Sequence, residues 1–131
     1  MTRRSTSKLY LVTNGEPGGE AMRLQIAEMG DLVVTMVRTA MEAFARRDLE
    51  LCLELPKMDD PVDRLNRSTH LEALKLADDP RSLDWGLHMN LAARALERTG
   101  DNAVDIAEQV GFLITGQFRE FTDASHPTDL S

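Results

Sequence analysis

The sequence predicts an all-α protein, one up-down-up bundle of three helices whose middle helix is kinked or broken at Pro56 and Pro61. Three observations lead there. Apolar residues make up 42% of the chain and aromatics only 5%, and the apolar set is mostly Leu, Ala, Val and Met, which suit helices better than sheets. Apolar positions recur at alternating intervals of three and four, the period of a helical seam. The interruptions between these runs are short, and brief connections force consecutive helices antiparallel. A chain of 131 residues has room for one core of this kind and not for two ordinary domains.

The first helix is expected just after the turn-forming stretch between Thr13 and Gly19, where glycine and proline make continuous helix costly. Its seam runs through Met22, Ile26, Met29, Val33, Met36, Ala40 and Ala43 and should close near Arg47. Asp48 is a good N-cap for the second helix, since its carboxylate can accept backbone N–H bonds and oppose the positive end of the helix dipole. Pro56 and Pro61 each remove a backbone donor and crowd the preceding turn, so the interruption is placed between Leu55 and Val62. Val62, Leu65, Thr69, Leu71, Leu74 and Leu76 resume the pattern as far as Ala77. Asp78-Asp79-Pro80 forms the second turn, because proline restricts the residue before it and opens helices well.

In the third helix Met89, Ala92, Leu96, Thr99, Ala103, Ile106, Val110 and Leu113 keep an unbroken three-four alternation. The helix should end near Thr115-Gly116, where glycine supplies a left-handed C-cap. Trp85 reads as an anchor packing the start of this helix. Residues 1–19 read as a flexible leader, 20–118 as the bundle and 119–131 as a flexible tail. Helices 1 and 3 should run parallel, and Gly30-Asp31 then matches Gly100-Asp101 in seam phase, as Val34 matches Val104 and Met36 matches Ile106.

Charge and motif content exclude several function classes. Fifteen basic residues against twenty-two acidic ones leave a formal charge of −7, a field that repels nucleic acid, whose binding rests on cationic contacts to phosphate. No apolar run approaches the roughly 20 residues that span a bilayer, so direct membrane insertion is not expected. Cys52 is the single cysteine, which leaves no internal disulfide and fits a reducing, cytoplasmic setting. No Gly-x-Ser-x-Gly turn, phosphate-cradling loop or Glu-x-x-His pair occurs. His70, His88 and His126 are scattered. An enzyme is therefore not expected.

One acidic constellation stands out. Glu97 and Asp101 lie one turn apart on helix 3. With Leu96 and Thr99 facing the core, both carboxylates point outward, and Asp31 holds the matching outward position on helix 1. Asp31, Glu97 and Asp101 together form a candidate oxygen-rich site for Mg²⁺, Mn²⁺ or iron. The same residues also fit the ordinary solvated acids of an exposed helix face.

The run Leu96-Glu-Arg-Thr-Gly-Asp-Asn-Ala-Val-Asp-Ile-Ala-Glu108, followed by Phe112-Leu-Ile-Thr-Gly116, resembles the signature helix of the PhoU family, with its E(D)xxxD motif. Asp59-Asp-Pro-Val-Asp-Arg-Leu65 is similar to the D-x-x-V-D-x-L run of the family's middle helix, and Ala27-Glu-Met-Gly-Asp31 to a degenerate motif on the first. The resemblance covers about Met22 to Phe118 and has the features of a single C-terminal-like repeat. It implies a cytoplasmic negative regulator of phosphate uptake linking a phosphate ABC transporter ATPase subunit to a phosphate-sensing histidine kinase. It also implies metal, with iron, zinc, manganese or magnesium as candidates, on Glu97, Asp101 and Asp31. Ala27 stands where a further motif carboxylate belongs, so a four-carboxylate set that includes helix 1 is left incomplete, and Ala27→Glu should tighten binding. A metal-dependent bundle enzyme and a structural oligomerisation module are the alternatives. Apolar residues outside the seams, among them Leu32, Val37, Met41, Phe44, Leu87, Leu91 and Phe112, point to a two-fold homodimer.

Overall fold

The computed structural model describes residues 19–116, so the expected tail and all but the last residue of the expected leader lie outside the described residues. Three helices pack pairwise against one another: α1 (Gly19–Arg46), α2 (Leu49–Leu74) and α3 (Pro80–Thr115). α1 opens at Gly19, slightly ahead of Met22, with Glu20 in its first turn where the helix dipole favours an acid. Its seam is as the spacing predicts: Met22, Met29, Val33, Met36, Ala40 and Ala43 are buried, and Ile26 packs at the edge.

The turns also follow local chemistry. Arg47 takes a left-handed conformation (φ 51°) between α1 and α2. Asp48 then caps α2 from extended backbone, its side chain accepting the Leu51 N–H at 3.2 Å. Asp79 caps α3 in the same way, accepting from the Arg81 N–H and the Ser82 hydroxyl, with Pro80 opening the helix. The Ser82 hydroxyl and the Arg81 amide hold the Asp79 carboxyl below its ordinary value. Gly116 closes α3 at φ 73°, donating to Phe112 O at 2.7 Å.

Two expectations are corrected. Of the kink or break expected in α2, the break is overturned: the helix runs continuously from Leu49 to Leu74 with both prolines inside it. An interior proline costs about 3 kcal/mol, but fully buried Cys52 and Leu55 precede the pair and Val62 and Thr69 follow it. A break would detach one of these groups from the core, and each large apolar side chain so exposed forfeits roughly 1.5–3 kcal/mol. The helix therefore stays whole at the expense of local hydrogen bonds. Pro61→Ala should then raise stability by about 1 kcal/mol by restoring an N–H to the ladder. A urea midpoint that stays put or falls would show that the ring's own packing outweighs the regained bond.

The second correction concerns α3. Its buried face keeps Ala103 and Val110 of the expected seam but is otherwise turned to the adjoining positions Ala93, Gly100, Val104, Ala107 and Gly111. Ala92, Thr99, Ile106 and Leu113 are exposed. Small side chains let two neighbouring helices approach closely, and close approach yields more contact than a bulkier seam held at a distance.

Helices α1 and α3 are parallel, with α2 antiparallel between them. Met22 of α1, Ala73 and Leu76 near the C-terminus of α2, and Trp85 and Met89 early in α3 form one small cluster. Phe44 and Arg47 meet Val110, Leu113 and Ile114 at the other end. The register differs from the sequence match. Met36, not Gly30, lies against Gly100, and a Cβ on Gly30 would meet nothing within 4 Å.

Candidate functional site

The rotation of α3 brings its acids to the α2 interface. With Gly100 turned inward, Glu97 and Asp101 lie beside the seam between α2 and α3, Glu97 partly buried and Asp101 exposed. Asp59 lies on the facing surface of α2, and a Cβ built on Gly100 would come within 3.2 Å of Asp59 Oδ1. Any larger residue at position 100 would push against this carboxylate.

Asp59 is 9% exposed, and its Oδ1 is buried with no hydrogen-bond partner. Burial pushes its carboxyl from 3.8 up to about 7, and the charges acting most strongly on it, Asp63, Asp101, Glu97 and Asp60, are all carboxylates that push the same way. Glu97 is also raised, first by desolvation, then by a side-chain hydrogen bond with Asp63 and by the charges of Asp63 and Asp101; Arg94 opposes the shift. Asp101 is raised by desolvation and by Asp63 and Asp105. Asn66, two turns beyond Asp59, carries a second buried oxygen without a partner.

The arrangement is thus a cross-helix cluster of Asp59, Asp63, Glu97 and Asp101, built from two acid pairs with the same four-residue spacing. The structure brings together Glu97 and Asp101 but not Asp31, which lies exposed on α1 with Ala27. The acids acting most strongly on Asp59, Glu97 and Asp101 all belong to α2 and α3. Asp59 and Asp63 are the members that the site prediction missed. Their signal was present in the run Asp59 to Leu65, whose acid spacing repeats that of Glu97 and Asp101.

Such an all-oxygen cluster suits a hard cation or a shared proton. Among the described residues, no three His, Cys, Asp or Glu side chains are grouped as placed so that they could hold a metal ion. His70 and His88 stay outside the cluster, with contacts to Asn90 and to Asp84 O respectively. Cys52 is buried, and burial followed by the charge of Asp48 raises its thiol pKa, which disfavours the reactive thiolate.

Fold and cluster together define an all-helical module with a carboxylate seam between its second and third helices. The PhoU domain family matches residues 26–110, a span lying wholly within the bundle. The phosphate-specific transport system accessory protein PhoU homolog of Pseudomonas putida is 38% identical over 111 residues, covering 82% of this chain and 41% of that protein. Its counterpart in Pseudomonas aeruginosa is 37% identical, covering 82% of this chain and 44% of that protein. The Caulobacter vibrioides homolog is 29% identical, covering 89% and 51%. The chain belongs to the PhoU family. It spans about two fifths to one half of the length of these relatives, whose names describe transport-system accessory proteins and not enzymes. No solved structure matches it significantly. No helix among the described residues is long and apolar enough to cross a membrane.

Proposed function

We propose that the chain is a cytoplasmic regulator of phosphate uptake and phosphate-responsive signalling, an adaptor contacting the ATPase subunit of a phosphate ABC transporter and a phosphate-sensing histidine kinase. The observation that carries this reading is the match of the bundle to relatives named as accessory proteins of the phosphate-specific transport system. Affinity capture of the tagged chain from phosphate-replete cells should recover the transporter ATPase. Recovery of neither transporter nor kinase would sink the reading.

The carboxylate cluster is read here as the adaptor's cation site. The donor chemistry supports this reading, with side-chain rotation needed to bring the set together: Asp59 Oδ1 is an orphaned buried oxygen, the absent side chain of Gly100 leaves it room, and all four acids offer hard oxygen ligands. Asp59 would supply the innermost ligand, with Asp63, Glu97 and Asp101 around it. Mg²⁺, Mn²⁺ or Fe²⁺ suits this chemistry better than Zn²⁺, which favours nitrogen and sulfur. A bound cation would neutralise repulsion that the fold otherwise bears.

Mn²⁺ at a hundred times its dissociation constant should therefore stabilise the protein by about 2.7 kcal/mol, read as a rise in melting temperature over an EDTA control. Asp59→Asn and Glu97→Gln should each reduce that rise, whereas Asp31→Asn should leave it unchanged. A rise insensitive to Asp59 and Glu97 would place any bound metal elsewhere.

A further inference from the structure

We propose that the outer face of the α2–α3 hairpin, at the end where the two helices join, is a docking surface for an acidic amphipathic helix of a protein partner. The inference deepens the adaptor reading by giving the partner's docking element a chemistry, and it rests on that reading only in taking the partner to be a protein.

Two stripes of side chains carry it. On α2, Arg64, Arg67, Leu71 and Leu74 follow at intervals of three, four and three, so they share one side of the helix. On α3, Leu87, Leu91, Arg94 and Arg98 follow at four, three and four, and every member of both stripes is exposed. The helices run antiparallel in a register marked by Ala73 beside Gly86, by His70 at 3.4 Å from Asn90 and by Asp59 beside Gly100. In that register Leu74 is level with Leu87, Leu71 with Leu91, Arg67 with Arg94 and Arg64 with Arg98. Leucine stands beside leucine and arginine beside arginine, so the patch passes from apolar at the tip to cationic toward the middle of the bundle.

Neither half is used within the fold. Leu71 is 59% exposed, Leu74 57%, Leu87 50% and Leu91 57%, a concentration of large apolar surface that marks an interaction site. None of the four arginines forms an ion pair among the described residues; Arg94 acts on the charge of Glu97 without bonding to it. By contrast, Arg23, Arg46, Lys57 and Lys75 each pair with an acid of their own helix or its end. Beneath the tip, Gly86 lets α3 close on Ala73 and Leu76, with Trp85 buried in the same cluster. The platform is thus formed before anything docks, which lowers the ordering cost of binding.

The chemistry of the patch selects its occupant. Arginines call for carboxylate or phosphate, which the planar guanidinium grips with two parallel bonds, and the leucines call for an apolar neighbour. What surrounds the patch decides between an acidic segment and an anionic membrane. The chain carries a formal charge of −7, and Asp60 and Asp101 stand one helical turn beyond Arg64 and Arg98. An anionic bilayer extends on every side and would meet those acids as well, whereas a narrow segment meets the patch alone. Leu74 to Arg64 spans about 15 Å of helix. The occupant is therefore a helix of about three turns, with apolar side chains at one end of its docking face and carboxylates at the other.

Fluorescence anisotropy in EDTA tests the surface, using a designed helical peptide of about 15 residues with leucine and glutamate on one face. Its control carries lysine in place of glutamate. Net charge alone favours the lysine peptide, whereas the patch requires the glutamate peptide to bind about tenfold more tightly. Leu71→Gln combined with Leu91→Gln should weaken that binding by about tenfold with helical circular dichroism unchanged, since both side chains are already exposed. Arg67→Glu combined with Arg98→Glu should reverse the preference between the peptides, and Arg67→Lys with Arg98→Lys should keep it. A parent that prefers the lysine peptide, or a leucine pair whose loss changes nothing, would overturn the proposal. Sedimentation with phosphatidylglycerol vesicles that depends on the same leucines and arginines would overturn the choice of a protein segment. Capture from phosphate-replete cells separates this surface from the adaptor reading. Transporter ATPase or kinase captured equally by the parent and both paired variants would keep the adaptor and remove the surface. A parent that binds the glutamate peptide but captures neither protein would remove the adaptor and keep the surface.

Discussion

Asp59→Asn is expected to raise the stability of the cation-free protein at pH 8 by about 3 kcal/mol. The native carboxyl of Asp59 titrates near 7 against 3.8 for an unperturbed one. Between those values the folded protein holds a proton that the unfolded chain has released. The unfolding free energy contributed by this group therefore falls as pH rises from about 4 to about 7, and the loss is complete above the folded value. Three units correspond to about 4 kcal/mol; asparagine removes most of this cost but brings an amide that the carboxylates satisfy imperfectly.

Urea denaturation at pH 5 and pH 8 checks the result. The parent should lose stability between the two and the variant should lose markedly less. A variant less stable than the parent at pH 8 without metal would mean that the ionised carboxylate is well satisfied after all. With saturating Mn²⁺ the gap should close, because the cation stabilises the parent more than the variant.

Gly100→Val is expected to lower stability by about 3 kcal/mol. A Cβ at this position sits 3.2 Å from Asp59 Oδ1, 3.5 Å from Met36 Sδ and 3.6 Å from Met36 Cε. Valine adds two methyl groups beyond the Cβ, and all three helices meet there. Gly100→Ala is the informative contrast: its gain of about 1 kcal/mol in helix propensity is set against one tight contact, leaving a net change near zero. Asp59→Ala should recover part of the valine loss by vacating the crowded oxygen. Thermal melts of the parent, the three single variants and the double variant test this, and an additive double variant would show that position 100 does not act through Asp59.

The acidic cluster shows how far a site could be read before the fold. Glu97 and Asp101 were visible because two acids one turn apart on a strongly periodic helix share a face. A seam of α3 through Leu96 and Thr99 turns both acids outward, toward Asp31 of α1, and so conceals their partners. Asp59 and Asp63 sit in a stretch where Pro56 and Pro61 argued for interrupted helix, so their common face carried little weight. Once α2 is continuous and α3 turns Gly100 inward, the two acid pairs oppose each other. The buried Asp59 then has a cost that points to a proton or a cation.

The sequence by itself determined the three helices and their ends. Asp48, Asp79-Pro80 and Gly116 act through bonds within a few residues of themselves, and the seam of α1 is legible because its large apolar residues fall on one stripe. Tertiary structure decided which face of α3 is buried, whether α2 survives its prolines, and which acids become neighbours. Apolar residues surround much of α3, so hydrophobicity alone does not choose a face; the choice falls to the small residues that let α1 and α2 approach. The prolines are likewise overruled only because Cys52 and Leu55 on one side and Val62 and Thr69 on the other must reach the same core. Local chemistry sets where a helix starts and stops, while the face it buries depends on the shape of the helices packed against it.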